Sequence, residues 1–350
     1  MLPPVRSPEV HPDGRVTFRL RAPNARTVLL AREGAEPVAM SRGDGDVWEI
    51  TLGPLEPDFY GYSFLVDGVG VLDPANPLFK PNLLNTQNLV HVPGPSSLPW
   101  EAGDVPRGTV HRHFYRSAVV GGERDFYVYT PPGYDPAARR TYPVLYLLHG
   151  FSDDASAWIT VGRAHVILDN LIARGDAVPM IVAMPLGYGV PELPGRGWGA
   201  LADATLRARN LERFRDVLLR EIVPAVERTY RVDARRETRA IAGLSMGGAQ
   251  ALAIGLNALD RFGWIGAFST GGLDEDFDRV FAGLDAGAAA RLGRLWIACG
   301  TEDRLIGASR RLRAWLASKG IRHDGVETPG GHTWMVWRRN LAAFLPLLFR

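Results

Sequence analysis

The sequence contains one cysteine and almost no lysine. Cys299 is the only cysteine in 350 residues, which excludes a disulfide within the chain and a metal site built from several thiolates. It lies in the apolar run 295–299 and is expected to be a small core residue. All basic residues except Lys80 and Lys319 are arginines, no five-residue basic run occurs, and the net charge is +2. Neither nucleic acid nor an anionic membrane is therefore expected as a partner.

Long apolar runs are also missing. No run approaches the roughly 20 residues that span a bilayer, and residues 1–8 lack the charged segment and apolar core of a signal peptide. We therefore expect a protein without a membrane span that is either cytoplasmic or a trimmed secreted or periplasmic form. A hydrophobic fraction of 46% over 350 residues is that of an ordinary globular chain with room for two domains.

Residues 1–93 show the two-residue periodicity of strands. Apolar and polar side chains alternate over 16–20, 48–52 and 60–66, and turn-forming residues separate these runs. Several short strands without a helical period predict a small all-β sandwich over residues 1–93. The following segment, 94–108, is rich in proline and glycine and has no periodicity, which predicts a linker.

The segments 60–68 and 72–76 resemble the early-set immunoglobulin-like modules that precede the catalytic domains of glycogen-branching enzymes and of some bacterial esterases. The resemblance implies a relative of starch-binding modules, in which Trp48 or Tyr60 would contact glycan. Both residues occupy core-facing positions of alternating strands, so packing is the better interpretation.

From residue 109 the pattern changes to alternating strands and helices. The predicted strands are 126–129, 143–148, 180–184, 240–242, 295–299 and a short one near Val326, with another around His111 and His113. The predicted helices are 210–230, 246–257, 309–318 and 333–348. Continuous apolar runs that alternate with helices predict a mostly parallel sheet with helices on both faces, over residues 109–350.

The segment 239–252 is typical of a nucleophile elbow. It places Gly243, Ser245 and Gly247 in the pattern G-x-S-x-G, between an apolar strand and a helical pattern. The glycines leave room for the strained turn, and the helix N-terminus stabilises negative charge near the serine. Ser245 is therefore the predicted nucleophile, although an ordinary strand-to-helix turn can carry the same five letters.

A serine nucleophile needs a base, and the base needs an acid that orients it. In α/β-hydrolases these follow the serine in the order acid, histidine. His332, in a glycine-rich loop before the last predicted helix, is favoured over His323, which lies in a polar stretch. Glu302 and Asp303 both follow the strand that ends at Gly300, and spacing alone does not separate them.

An oxyanion hole requires two backbone donors. We expect these to be the N–H groups of Met246, next to the nucleophile, and Phe151, in the turn after the run 143–148. His149 is expected to be structural. The glycine-rich segment 187–198 is typical of a substrate-binding loop. The candidate aromatic contacts to substrate, for each of which packing is an equal alternative, are Trp158, Tyr188, Trp198 and Trp334.

Six segments in this order resemble carbohydrate esterase family one, an esterase D-like group of α/β-hydrolases, and most of all the bacterial feruloyl esterase domains attached to xylanases. They are 129–134, 148–150, 164–171, 239–248, 297–307 and 330–332. The resemblance implies an α/β-hydrolase fold, selects Asp303 as the acid, and implies that no metal or cofactor is needed.

The function implied by this resemblance is that of a serine esterase that releases feruloyl or acetyl groups from plant polysaccharide such as xylan. One alternative is hydrolysis of a catecholate siderophore ester, because enterochelin esterases share the two-domain layout. A second alternative is a glycan-binding protein with an inert hydrolase fold. The oligomeric state is not predicted.

Overall fold

The computed structural model describes residues 4–350; residues 1–3, part of the segment in which no signal peptide is predicted, lie outside the described range. Residues 9–92 form two antiparallel sheets, which we call the β-module. Its strands are β1 (Glu9–Val10), β2 (Val16–Arg21), β3 (Val28–Arg32), β4 (Val38–Ala39), β5 (Ser41–Arg42), β6 (Val47–Leu52), β7 (Asp58–Val66), β8 (Val69–Val71), β9 (Phe79–Lys80) and β10 (Gln87–Val92). One sheet has the order β1-β2-β6-β5, and the other has the order β4-β3-β7-β10-β9 with β8 paired to β7.

The inner faces of the two sheets form the core of the β-module. Trp48 and Tyr60 belong to this core, with exposed fractions of 8% and 6%. The indole of Trp48 donates to the carbonyl of Ala22, and the hydroxyl of Tyr60 donates to the carbonyl of Glu56. Because their rings are buried, these two aromatics do not form a glycan-binding surface.

Residues 109–347 form what we call the α/β-module, built on one eight-stranded sheet. Its strands are β11 (Thr109–Arg116), β12 (Glu123–Thr130), β13 (Val144–Leu148), β14 (Ile181–Pro185), β15 (Arg239–Leu244), β16 (Trp264–Phe268), β17 (Arg294–Gly300) and β18 (Asp324–Thr328). The order is β11-β12-β14-β13-β15-β16-β17-β18, in which β12 pairs antiparallel with both β11 and β14 and the other pairings are parallel.

Helices cover both faces of this sheet. They are α1 (Ala157–Thr160), α2 (Ala164–Ala173), α3 (Glu192–Gly195), α4 (Ala204–Val217), α5 (Val223–Thr229), α6 (Met246–Leu256), α7 (Phe277–Val280), α8 (Ala286–Ala289), α9 (Ile306–Ser318) and α10 (Trp334–Phe344). Every residue of β13 to β16 is buried, as expected for parallel strands between two helical layers. None of the helices between residues 4 and 350 has the length and apolar character that a bilayer span requires.

Most of the predicted elements are present with shifted ends. The helix predicted at 210–230 begins at Ala204, where the Asp203 carboxylate accepts from the backbone of Leu206, and a wider turn at Leu218–Ile222 joins α4 to α5. The strand β16 and the helix α2 were not predicted. In β16 the small residues at 266 and 267 shorten the apolar run.

The segment 94–108, predicted as a linker, packs against the α/β-module. Trp100 is buried, and the side-chain amide of Asn170 in α2 donates to the carbonyl groups of Pro99 and Glu101. These bonds fix the segment along its middle. The division into domains 1–93 and 109–350 with a linker at 94–108 stays a prediction.

A buried ion pair joins the two modules directly. Arg338 of α10 is fully buried and donates two hydrogen bonds to Asp58 of β7, at 2.9 and 2.6 Å. It also donates to the carbonyl groups of Phe59 and Val161. The last helix of the α/β-module is therefore attached to the central strand of a β-module sheet.

Candidate active site

Ser245 occupies a strained turn between β15 and α6. Its backbone angles are φ 50° and ψ −114°, in a region that residues other than glycine rarely adopt. A Cβ at Gly247 would lie 2.5 Å from the carbonyl oxygen of His149, and one at Gly243 would lie 2.5 Å from the carbonyl oxygen of Gly247. Only glycine fits at these two positions, and this close approach sets the serine at the carboxyl edge of the sheet.

The structure brings Ser245, His332 and Asp303 together in one hydrogen-bonded chain. Nε2 of His332 lies 3.1 Å from Oγ of Ser245, and Nδ1 of the same ring lies 2.7 Å from Oδ2 of Asp303. Nδ1 therefore donates to the carboxylate, which leaves Nε2 as the acceptor for the serine hydroxyl. This is the arrangement in which an imidazole removes the proton of a serine during attack.

The Asp303 carboxylate is fully buried at the end of β17. Burial by itself raises its pKa, but the hydrogen bond and charge of His332 and the N–H of Leu305, 2.9 Å from Oδ1, together hold the pKa below its ordinary value. Glu302 is exposed, and the ring of His323 bonds to the carbonyl of Ile321 instead. Of the two carboxylates that spacing left open, the one in contact with His332 is Asp303.

Two backbone N–H groups border the serine without an acceptor among residues 4–350. They belong to Phe151, in the loop after β13, and Met246, at the first position of α6. The loop passes close to the nucleophile, because a Cβ at Gly150 would lie 3.4 Å from Cβ of Ser245. Both predicted oxyanion donors are therefore available at this edge of the sheet.

His149 holds the loop that carries Phe151. Its Nδ1 donates to the carbonyl of Gly150 at 2.7 Å, and its Nε2 accepts from the N–H of Gly187 at 2.8 Å. Burial lowers the pKa of His149 to about 4. The ring is therefore neutral at neutral pH and bridges the loops after β13 and β14.

The serine and histidine open into a cavity of about 700 Å³. Of the four aromatic residues predicted to contact substrate, the exposed Trp198 lines it, whereas Trp334 borders it but is only 1% exposed and packs in the core. The structure places Trp158 and Tyr188 in the core instead: the indole of Trp158 donates to the carbonyl of Leu148, and the hydroxyl of Tyr188 donates to that of Asp153. Their polar atoms are used to support the loop after β13.

Sequence reasoning missed several residues of this cavity. Trp337 lies one helical turn after Trp334, its ring is edge-on to His332 with centroids 4.9 Å apart, and helical spacing could have indicated it. The other missed wall residues with charged or amide side chains are Glu33, Lys80, Asn82, Asn85, Gln87, Asp153, Arg207 and Arg304. Five of these lie in or next to the β-module, and no local sequence pattern joins them to Ser245.

A smaller cavity of about 200 Å³ adjoins the first behind Met246. Its walls are largely apolar, and the residues it shares with the larger cavity are Leu201, Arg207, Met246, Gly271 and Gly272. The site therefore has an apolar recess on the side of the oxyanion donors. Within residues 4–350 no group of three or more His, Cys, Asp or Glu side chains is placed to hold a metal ion.

Comparison with known proteins gives a consistent set of matches. The model of the family named Esterase matches residues 117–348. The chain is 28% identical over 365 residues to the endo-1,4-beta-xylanase/feruloyl esterase of Xylanibacter ruminicola, an alignment that covers 98% of this chain and 46% of that protein. The chain spans about half the length of the first curated relatives it matches.

Solved structures of two kinds share the fold. A ferulic acid esterase from Anaeromyces mucronatus has a TM-score of 0.63 and 25% identity, over 73% of this chain and 96% of that one. The enterobactin esterase from Shigella flexneri has a TM-score of 0.71 and 21% identity, over 95% of this chain and 92% of that one. These likenesses confirm the predicted fold, an α/β-hydrolase preceded in the chain by separate all-β sheets.

Proposed function

The chain belongs to the Esterase family of carboxylic ester hydrolases, and we propose that it acts through Ser245 on feruloyl or acetyl esters of plant polysaccharide. The observation that carries this proposal is the hydrogen-bonded chain from Ser245 through His332 to Asp303, at the floor of an open cavity. Such a chain makes a hydroxyl nucleophilic at neutral pH without a cofactor.

The proposed reaction is acyl transfer in two steps. Nε2 of His332 accepts the hydroxyl proton while Oγ of Ser245 attacks the ester carbonyl. The resulting oxyanion receives hydrogen bonds from the N–H groups of Phe151 and Met246, next to the positive end of α6. His332 then donates the proton to the departing alcohol, and water, activated by the same ring, hydrolyses the acyl-enzyme. Asp303 keeps the ring in the required tautomer throughout.

Support for an aromatic acyl group comes from two sources. The relative from Xylanibacter ruminicola and the structure from Anaeromyces mucronatus are both named as esterases of ferulate. In this chain the exposed indole of Trp198 lines the cavity, and an apolar recess adjoins it behind Met246. Aromatic and apolar walls favour a planar phenolic acyl group over acetate alone.

The test is a panel of esters assayed with the wild type and with Ser245→Ala. We expect the wild type to hydrolyse methyl ferulate and acetylated xylan, and Ser245→Ala to lose turnover on both. Faster hydrolysis of ferric enterobactin would favour the siderophore alternative. No turnover on any ester, together with no covalent fluorophosphonate adduct on Ser245, would favour an inert glycan-binding protein. An alanine variant with full activity would show that the nucleophile is another residue.

A further inference from the structure

One wall of the cavity that contains Ser245 is formed by the β-module, mainly by β9, β10 and the loop between them. The residues of this wall, which we call the β-wall, are Glu33, Lys80, Asn82, Asn85 and Gln87. All five side chains are charged or carry an amide. The cavity that contains the nucleophile is therefore closed on one side by a polar surface that the α/β-module does not supply.

The β-wall is fixed to both loops that carry the reacting groups. The Glu33 carboxylate accepts from the N–H of Trp334 at 2.8 Å, two residues after His332. The side-chain amide of Asn82 donates to Oγ of Ser152 at 2.9 Å, in the loop that carries the N–H of Phe151. The β-wall therefore has a defined position relative to the ester carbonyl.

Gly61 of β7 leaves the space that three side chains of the β-wall occupy. A Cβ at Gly61 would lie 2.7 Å from Oε1 of Gln87, 2.8 Å from Cδ of Lys80 and 3.1 Å from Oε2 of Glu33. The N–H of Gly61 also donates to Oε2 of Glu33 at 3.2 Å. The glycine allows three polar side chains to pack together over a strand, which is a built arrangement and not a loose surface cluster.

The position of the β-wall indicates which part of the ester it contacts. The departing alcohol takes its proton from His332, so the alcohol part of the substrate lies on the side of that ring. The β-wall borders this ring through Glu33 and Trp334, and also borders the loop of Phe151 through Asn82 and Ser152. The apolar recess behind Met246 contains none of the β-wall residues, so an acyl part seated in the recess leaves the alcohol part towards the β-wall.

The charges of the β-wall cancel. Nζ of Lys80 lies 2.9 Å from Oε2 of Glu33, and their side chains are only 11% and 10% exposed. Nζ also lies 3.3 Å from Oε1 of Gln87, so two of its three donors are used within residues 4–350. One ammonium donor, the amide of Asn85 and the amide N–H₂ of Gln87 remain, a mixed set of donors and acceptors without net charge.

We propose that the β-wall is the subsite for the alcohol part of the ester, and that this part is a neutral, hydroxyl-rich group such as a pentose or hexose. Hydroxyl groups both donate and accept, as the amides of the β-wall do, and a wall whose charges cancel does not select a charged alcohol. This inference rests on the proposed esterase function and makes the β-module part of the substrate site.

The experiment compares three esters that share the feruloyl group. They differ in the alcohol, which is methanol, arabinose or glycolic acid. The test variant is Asn85→Ala with Gln87→Leu, and the control is Asn24→Ala, an exposed amide of the same module outside the cavity. For the wild type and the control we expect kcat/KM to be about tenfold higher for the arabinose ester than for the methyl ester. In the test variant this ratio should fall to about one.

Other outcomes would overturn the inference. An unchanged ratio in the test variant, or an equal loss on the methyl and arabinose esters, would show that the β-wall only supports the fold. A preference of the wild type for the glycolic acid ester would show that the alcohol is anionic. Wild-type protein that hydrolyses none of the three and does not react with a fluorophosphonate would instead refute the esterase proposal on which the inference rests.

Discussion

Asp303 carries its negative charge in a place that solvent does not reach. The ring of His332, 2.7 Å from the carboxylate, and the N–H of Leu305 replace the lost water. The same bond fixes Nδ1 of His332 as a donor and so directs the unprotonated nitrogen towards Ser245. The buried carboxylate of Asp303 therefore orients the base, His332.

Replacing this carboxylate by an amide is expected to abolish most of the activity. In Asp303→Asn the amide can donate to Nδ1, which stabilises the wrong tautomer, and kcat should fall by on the order of a thousandfold to ten-thousandfold. Steady-state kinetics on methyl ferulate measure the change. Glu302→Gln, at the neighbouring exposed position, is the matched control and should keep wild-type turnover. Similar losses in both variants would contradict the assignment of Asp303.

A second buried carboxyl group, Asp153, lies in the wall of the cavity. Burial raises its pKa to about 7, and the positive charge of Lys80 and the hydrogen bond from Asn82 only partly oppose this. The value in the unfolded chain is about 3.9, so the folded protein binds this proton more tightly. The stability that the group contributes is complete below about pH 4 and is lost as the pH rises to about 7.

Asp153→Asn should therefore stabilise the protein in a pH-dependent manner. The amide cannot ionise, so the free energy of unfolding of the variant relative to wild type should increase by on the order of 2 kcal/mol between pH 5 and pH 8. Urea unfolding at the two pH values measures this difference. A difference that does not change with pH would show that ionisation of Asp153 does not penalise the folded state.

At the scale of residues, the sequence predicts which side chains react better than it predicts which residues surround them. The elbow and the glycine-rich loop predict Ser245 and His332 because their local patterns contain the turns that the reaction needs. Spacing could not separate Glu302 from Asp303, since the two are adjacent and only their contact with His332 distinguishes them. Trp158 could not be recognised as a core residue from its type, because an indole in a core and one in a cavity read alike.

The elbow depends on contact between two elements without side chains between them. A Cβ at Gly247 in α6 would lie 2.5 Å from the carbonyl oxygen of His149 and 2.6 Å from that of Leu148. Neither backbone atom can rotate away. Separating α6 from the loop after β13 would also separate the two oxyanion donors, Met246 and Phe151.

Gly247→Ala is therefore expected to reduce both stability and turnover. Overpacking at this contact should cost about 1–3 kcal/mol of unfolding free energy, and displaced oxyanion donors should lower kcat on the order of a hundredfold. Gly195→Ala in α3 is the control, because a Cβ there meets nothing within 4 Å. Thermal unfolding and ester kinetics on both variants test this. Wild-type kcat in a folded Gly247→Ala protein would contradict the proposed geometry.

At the scale of elements, apolar periodicity was sufficient for the strands and helices that position the elbow. Apolar periodicity did not predict the elements whose ends or presence depend on other features, such as a helix cap. The start of α4 depends on the cap at Asp203, and β16 is short with two small residues in its middle. The segment 94–108 has the composition of a linker, yet Asn170 and the buried ring of Trp100 hold it in place.

At the scale of the whole molecule, contacts across the chain were beyond the reach of local patterns. The bond from Trp334 to Glu33 joins residues 301 positions apart, and the pair of Arg338 with Asp58 joins residues 280 positions apart. Neither segment contains a motif that refers to the other. The sequence thus predicts two modules and one set of reacting groups, but not that one module closes the cavity of the other.

The attachment of the modules depends on Arg338, which is fully buried and donates hydrogen bonds to Asp58, Phe59 and Val161. In Arg338→Met the buried carboxylate of Asp58 keeps only the partly exposed Arg339, 3.3 Å from its Oδ2, so the free energy of unfolding should still fall by about 3 kcal/mol. Adding Asp58→Asn should restore part of the loss, because a buried charge that has lost its main partner is then removed. Arg310→Ala breaks an ion pair with Glu327 in which the arginine is 57% exposed and should cost at most about 1 kcal/mol. Denaturant unfolding of the wild type, the two single variants and the double variant measures these differences. A loss of unfolding free energy in Arg338→Met no larger than in Arg310→Ala would mean that the attachment of the modules does not depend on the pair of Arg338 with Asp58.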